Sequence, residues 1–287
     1  MRALVIVVFA SVALLACKST GLKVGNIDIG KIVSHSTALW DANNIDQTQE
    51  IQIGQQMSAV LLGTRPLIEN KEINIYVNQV GTLLASHTSR PDLPWRFGVI
   101  NSSAINAFAA PGGYIFITSG MLMQVHNEAQ LAAVLAHEII HVVEKHHIQA
   151  LKEGAFRNAA TETLFMSAEM YQNNTGASQQ DREYTAWARK FSDAGQTLYA
   201  KGLSKDDEFI ADQQGIRLLA KAGYDPFAFV ENLQLLASIA PDDSSLALMY
   251  KTHPTPDQRL IAIQNQLTKL IDIEGKQLSQ RYAQHVH

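Results

Sequence analysis

The sequence predicts an α+β domain, mostly helical, with one small antiparallel sheet. Three observations carry that prediction. Apolar residues recur at three- and four-residue spacing through most of the chain, the period switches to two between Trp95 and Thr118, and no strand–helix–strand alternation follows. The 287 residues, 46% of them hydrophobic and 17% charged, suffice for one large domain with a packed core. The formal net charge is −4 without a basic stripe, so no nucleic-acid partner is expected.

The first segment reads as an export signal. Met1-Arg2 is a short positive start, and Ala3 to Ala16 is almost wholly apolar. That run is short of the roughly 20 residues a bilayer span requires and suits the core of a secretory signal. Leu14-Leu15-Ala16-Cys17 resembles the lipobox of bacterial lipoproteins, and Cys17 is the only cysteine. The resemblance implies removal of residues 1–16 and acylation of Cys17, which becomes a membrane anchor and leaves no thiol for a disulfide. Lys18 follows where an aspartate would signal otherwise, which by Gram-negative sorting rules favours the outer membrane facing the periplasm. Residues 17–44, rich in Gly, Ser, Asn and Asp without periodicity, read as a tether. Residues 45–287 form the folded domain. No later stretch of 18 apolar residues exists, which argues against an enzyme that cuts within the membrane.

The elements follow in order. Ile51, Ile53, Met57, Val60 and Leu61 predict a helix over Asp46–Leu62, broken at Gly63-Thr64-Arg65-Pro66. Ile73, Tyr76, Val77, Val80, Leu83 and Leu84 mark a second. Trp95, Phe97 and Val99 alternate with Arg96 and Gly98 as in a half-buried strand, and Asn106–Ala109 and Tyr114–Thr118 are two more, joined by Pro111-Gly112-Gly113. Asn127 with Gln130 caps a helix over 128–150. A polar stretch, 172–181, precedes helices near 183–201, 205–222, 226–239 and 256–271. The stretch between His141 and Glu208 reads either as a lid or as a packed pair of helices.

The chemistry lies in Ala136-His137-Glu138-Ile139-Ile140-His141, an H-E-x-x-H sequence. Residues four apart on a helix share a face, so His137 and His141 can bind one zinc ion, while Glu138 is offset to one side and free to act as a base. Zinc lowers the pKa of water toward about 7, and a neighbouring carboxylate takes the proton as a carbonyl is attacked. A third protein ligand is required. His147 has the metzincin spacing, but Glu144 occupies the position where a glycine would end the helix. In a continuous helix His147 lies about 15 Å along the axis from His137 and off its face. Glu208 and Asp212 sit four apart on a later helix. Glu208 can complete a His, His, Glu set and Asp212 can orient a ligating imidazole, although an acidic pair on a helix is ordinarily a solvated face.

Four blocks decide between those readings: Asn106–Gly113, His137–His146, Glu208–Asp212 with Ala222-Gly223-Tyr224-Asp225-Pro226, and Thr252-His253-Pro254. Over about residues 46–270 the chain resembles the M48 metallopeptidases, with Ile140 and Lys145 where that family often has glycine and arginine. The resemblance implies a zincin-like metalloendopeptidase domain holding one zinc ion per subunit, with Glu208 as third ligand and Asp212 behind it. His146 is expected to be a structural hydrogen-bonding residue. Protein or peptide substrates would pair with the edge strand Asn106, Ala107, Phe108 and Ala109, although a plain hairpin explains the same residues. By resemblance His253 approaches the metal, either to stabilise an oxyanion or to occupy the water position at rest. Arg259, six residues on, is expected to support developing negative charge. The expected activity is cleavage of misfolded or misassembled envelope proteins. The alternative is a non-catalytic, client-binding lipoprotein that uses the same cleft.

Overall fold

The computed structural model describes residues 23–24, 27–28, 45–153, 202–240, 243–270 and 272–286. The signal segment 1–16, Cys17 and the expected helix at 183–201 lie outside them. The chain divides into two units, Met1–Asn44 and Ile45–His287. In the first, strands β1 (Lys23–Val24) and β2 (Ile27–Asp28) pair antiparallel. The second holds helices α1 (Gln47–Thr64) and α2 (Lys71–Ser86), strands β3 (Arg96–Ile100), β4 (Ala107–Ala110) and β5 (Tyr114–Thr118), then α3 (Ser119–Leu122) and α4 (Glu128–Val143). A helical stretch α5 (146–153) precedes α6 (Lys205–Lys221), α7 (Ala228–Ser238), α8 (Ala247–Thr252), α9 (Pro256–Leu270) and α10 (Ser279–Val286). Among the described residues no helix is long and apolar enough to cross a membrane.

The sheet is mixed, not antiparallel as expected. Its order is β3-β5-β4, with β3 parallel to β5 and β4 antiparallel to it. The cause lies in the loop after β3. It crosses the end of β5, where Thr118 Oγ1 donates to the carbonyl oxygen of Ala104 at 2.6 Å and accepts from Asn106 N, and Ser119 Oγ donates to Ser102 O at 2.9 Å. The chain therefore returns on the far side of β5. The hairpin at Gly112 and Gly113, both at positive φ (75° and 100°), closes β4 onto β5.

β3 is buried on both faces apart from Arg96, where alternation predicted one wet face. Gly98 explains it: Leu67 lies against that glycine, where a Cβ would approach Leu67 Cδ2 to 2.8 Å. The outer edge of β3 is occupied as well. Asn74 and Asn78 of α2, one turn apart, accept from Val99 N (2.9 Å) and Phe97 N (3.1 Å), and Ile68 N donates to Val99 O. That leaves β4 as the terminal strand on the opposite side.

α4 forms the centre of the domain because its sequence carries no charged side chain between Ala129 and His137, and small residues Ala129, Ala132, Ala133 and Ala136 let neighbours approach closely. It packs against α2, β4, α6 and α7. Its first residue, Glu128, is fully buried and accepts from Tyr76 Oη (2.8 Å), Tyr224 Oη (2.6 Å) and the Arg281 guanidinium of α10. A carboxylate at a helix N-terminus also complements the dipole. Burial disfavours its charge, but the Arg281 and tyrosine hydrogen bonds outweigh that and hold its pKa below the usual range.

Replacing Arg281 with Met leaves a buried carboxylate with two phenol donors and is expected to cost about 1–3 kcal/mol in urea unfolding at pH 7. Because the folded pKa is depressed, the difference from wild type is fully present above the unfolded carboxylate value of about 4.3 and shrinks as pH falls below it.

Candidate metal centre

Three elements meet beside α4. α4 brings His137, Glu138 and His141. α6, capped by Ser204 Oγ accepting from Asp207 N, brings Glu208 in its first turn and Asp212 one turn later. His253 caps the C-terminus of α8, and Arg259 projects from α9. The ligand atoms of His137, His141 and Glu208 lie within 4.8 Å of one another, and all three residues are buried.

The side-chain directions suit a cation. His137 Nδ1 lies 2.8 Å from Asp212 Oδ1, and His141 Nδ1 lies 2.9 Å from His146 Nδ1. With their Nδ1 atoms so engaged, both rings turn Nε2 to one point, where the two nitrogens stand 3.1 Å apart. Glu208 Oε2 and Oε1 approach them at 3.4 and 3.5 Å, and Oε2 has no hydrogen-bond partner although it is buried. Two nitrogen lone pairs and an orphaned carboxylate oxygen at this spacing fit a divalent ion, and the N, N, O donor set with room for water is one that suits zinc.

Electrostatics differ from residue to residue. Burial and the Arg259 charge oppose protonation of His137, but the Asp212 carboxylate hydrogen-bonded to it and the nearby Glu208 carboxylate win and raise it to about 9. Burial, then the His137 charge, pushes His141 well below its ordinary value. Burial lifts Glu138 to about 7, against the His137 charge and with help from Glu208. A base near neutrality is well matched to proton transfer. Arg259 forms a fork on Asp212, Nε to Oδ2 at 2.9 Å and Nη2 to Oδ1 at 2.6 Å, with Nη2 also 3.3 Å from His137 Nδ1. Its charge thus stands behind His137, and the same side chain lines the cleft. His253 Nε2 is 3.5 Å from Glu208 Oε2, and Thr252 Oγ1 contacts its Nδ1 at 2.8 Å. His137, Glu138 and His253 make a second converging group, which places His253 on the more open side.

The cleft has two recesses that share Asn106, Ala107, Glu138 and His253. One, of about 420 Å³, has Val134, Phe229, Leu233 and Met249 in its walls. The other, of about 370 Å³, is walled by Phe108, Ala109, His147, Gly202 and Leu203. Asn106 O accepts from Thr118 N, and alternation along an antiparallel ladder then turns the backbone groups of Ala107 and Ala109 away from β5.

One ground of the sequence reading fails. α4 ends at Val143, and Lys145 takes φ 59°, a left-handed turn that a continuous helix over 128–150 does not contain. That turn folds His146 back onto His141 and sets the His147 ring 5.7 Å from the His141 ring. His147 belongs to neither converging group, so the conclusion about it stands on different geometry. The reading also missed Gly215 on α6. A Cβ there would meet Phe229 Cε2 at 3.3 Å and His137 N at 3.4 Å, so the glycine sets how closely α6 crosses α4. An isolated glycine inside a helical pattern is the signal that points to such an approach.

A family model described as peptidase family M48 matches residues 72–267. The chain is 31% identical over 228 residues to the beta-barrel assembly-enhancing protease of Escherichia coli, covering 77% of this chain and 44% of that protein. It is 29% identical over 210 residues to the mitochondrial metalloendopeptidase OMA1 of Schizosaccharomyces pombe, covering 71% and 56%. It is 25% identical over 178 residues to the metalloprotease YcaL of Escherichia coli, covering 61% and 63%. The chain thus spans about half the length of the assembly-enhancing relatives it matches.

A branched side chain at Gly215 forces α6 away from α4 and separates Glu208 from the two imidazoles. Gly215→Val is expected to weaken zinc binding roughly 10- to 100-fold in competition with a chromophoric chelator. Gly215→Ala, needing a shift of only tenths of an ångström, is expected to stay within a few-fold of wild type.

Proposed function

The chain belongs to peptidase family M48, which makes it a metalloendopeptidase, and we propose that it hydrolyses peptide bonds of misfolded or misassembled envelope proteins with Glu138 as general base. One observation carries the reading: two inward Nε2 atoms and the orphaned Glu208 Oε2 converge beside a buried carboxylate raised to about 7. His137, His141 and Glu208 would hold one zinc ion per subunit. When bound, zinc supplies a Lewis acid that polarises a carbonyl and brings the pKa of water to about 7.

The chain's own residues do the rest. Asp212 accepts a hydrogen bond from the Nδ1–H of His137 and is itself clamped by Arg259, so ring, tautomer and local charge are set before substrate arrives. His146 does the same for His141. Glu138 accepts a proton from water as it attacks the scissile carbonyl, then delivers it to the amide nitrogen as the C–N bond breaks. The Arg259 charge supports the negative charge that develops. An extended substrate adds to β4 through the outward backbone of Ala107 and Ala109, with Asn106 and Phe108 completing the strand. His253 stands on the water side and restrains the resting enzyme.

The same reading makes residues 1–16 a signal peptide, Cys17 an acylated anchor, 17–44 a tether and 45–287 the peptidase domain, held at the outer membrane facing the periplasm. The bacterial relatives are beta-barrel assembly-enhancing proteases, which supports an envelope substrate.

Zinc-loaded protein is expected to cleave casein, to lose that activity with chelator and to regain it with zinc. Glu138→Gln is expected to retain zinc and lose at least a thousandfold in rate. A zinc-bound Glu138→Gln that still cleaves would falsify the mechanism, while a wild type that binds unfolded clients without cutting them would favour the client-binding alternative. His253→Ala is expected to raise basal cleavage several-fold, and an unchanged or lower rate would remove His253 as a restraint.

A further inference from the structure

Thr252 is the buried last residue of α8, and its Oγ1 donates to Leu248 O at 2.9 Å, with Met249 O also in reach at 3.3 Å. Both partners are carbonyl oxygens that can only accept, so the single hydroxyl hydrogen is committed to them. Toward His253 Nδ1, 2.8 Å away, Oγ1 is therefore the acceptor, and Nδ1 carries the ring hydrogen. In a neutral imidazole the other nitrogen, Nε2, is then bare. The surroundings of Nε2 agree. It stands 3.5 Å from Glu208 Oε2, which has no hydrogen-bond partner, so Nε2 spends no hydrogen there. The backbone that carries the hydroxyl is held from outside α8. Gly202, at φ 77°, lies so close that a Cβ on it would stand 2.0 Å from Thr252 O, and Gly202 leads into α6, the helix of Glu208.

We infer that Thr252 is a positioning residue: its hydroxyl fixes the tautomer of His253, so that a bare Nε2 and not an N–H faces the metal centre. This inference rests on the proposed role of His253 as a restraint on the resting enzyme. An N–H on that side would turn a positive hydrogen toward the cation and offer it no lone pair. Valine has nearly the shape of threonine without the oxygen. With valine at 252 an Nδ1–H has no acceptor, and the ring hydrogen is better placed on Nε2, facing the Glu208 carboxylate. The lone pair on the metal side is then lost. Serine keeps the hydroxyl and with it the tautomer. Thr252 touches no reacting atom and acts only through His253.

The test measures two quantities in the full chain: zinc affinity, by competition with a chromophoric chelator, and basal casein cleavage. Thr252→Val is expected to weaken zinc binding roughly tenfold and to raise basal cleavage several-fold, in the same direction as His253→Ala. Thr252→Ser is expected to stay close to wild type in both. The deciding comparison is made on the His253→Ala background, where Thr252→Val is expected to add nothing to either quantity, since residues that act as a unit are not additive. A merely structural role of the hydroxyl would persist on that background, and thermal melting reads such a loss separately. Three outcomes overturn the inference: Thr252→Val matching wild type, Thr252→Ser behaving like Thr252→Val, or a Thr252→Val effect of full size without His253. Single variants keep the claims apart. An effective His253→Ala beside a silent Thr252→Val sinks the role of Thr252 alone, whereas a silent His253→Ala removes His253 as a restraint and Thr252 with it. Zinc affinity is read without turnover, so a chain that cuts no casein but shows the same pattern of affinities sinks the peptidase mechanism and leaves the positioning role standing.

Discussion

The crossing of α6 over α4 places a buried carboxylate and two buried imidazoles within 3.5 Å of one another, and the rest of the domain is organised to hold that arrangement. Buried polar groups do not stay together unaided, since each loses water on burial. Groups behind them supply the compensation. Asp212 and Arg259 neutralise each other at the back of His137, and His146 engages the back of His141. The conflict is thereby confined to the side where a cation belongs.

α4 itself is anchored by charge at both ends and by hydrocarbon between them. At its start Glu128 ties together α2, Tyr224 and α10. At its end Arg90 donates to Val142 O at 3.0 Å while forming a two-point pair with the buried Glu50 of α1. Glu50 also accepts from Gly112 N, so the same carboxylate that fixes the end of α4 fixes the turn between β4 and β5. Strand edge and metal helix are therefore positioned by one residue, which explains how the backbone of Ala107 and Ala109 keeps its place relative to Glu138.

What was legible in the sequence depended on how local the cause was. His137, Glu138 and His141 follow from a four-residue spacing, and Glu208 with Asp212 from the same spacing on a second helix. The resemblance to a family, not the spacing, joined those two helices. The capping residue Asn127 and the two-residue period near Phe97 were likewise short-range signals. The parallel pairing of β3 with β5 was not readable, because it depends on Thr118 and Ser119 gripping a loop from 14 to 17 residues earlier in the chain. Nor was the left-handed turn at Lys145 that follows the end of α4, since a lysine in that region is held there by its surroundings against its own preference. Helix α10 escaped notice because its burial rests on Tyr282 alone, whose hydroxyl reaches Leu122 O across the domain.

If substrate adds to the sheet as proposed, one edge is open to it. β3 would be an equally good template for an added strand, but Asn74, Asn78 and the segment around Ile68 already occupy its outer edge. Filling one edge with side-chain amides removes a surface open to unwanted pairing and directs strand addition to the other. That other edge is β4, which runs past Glu138 and His253 and lines both recesses of the cleft. On the proposed reading, a peptide laid along β4 carries its backbone past Glu138 and turns alternate side chains toward the two recesses, one with Phe229, Leu233 and Met249 in its wall and one containing His147. Backbone pairing of that kind is tolerant of sequence, so on the proposed reading selectivity falls to the side chains of those two walls.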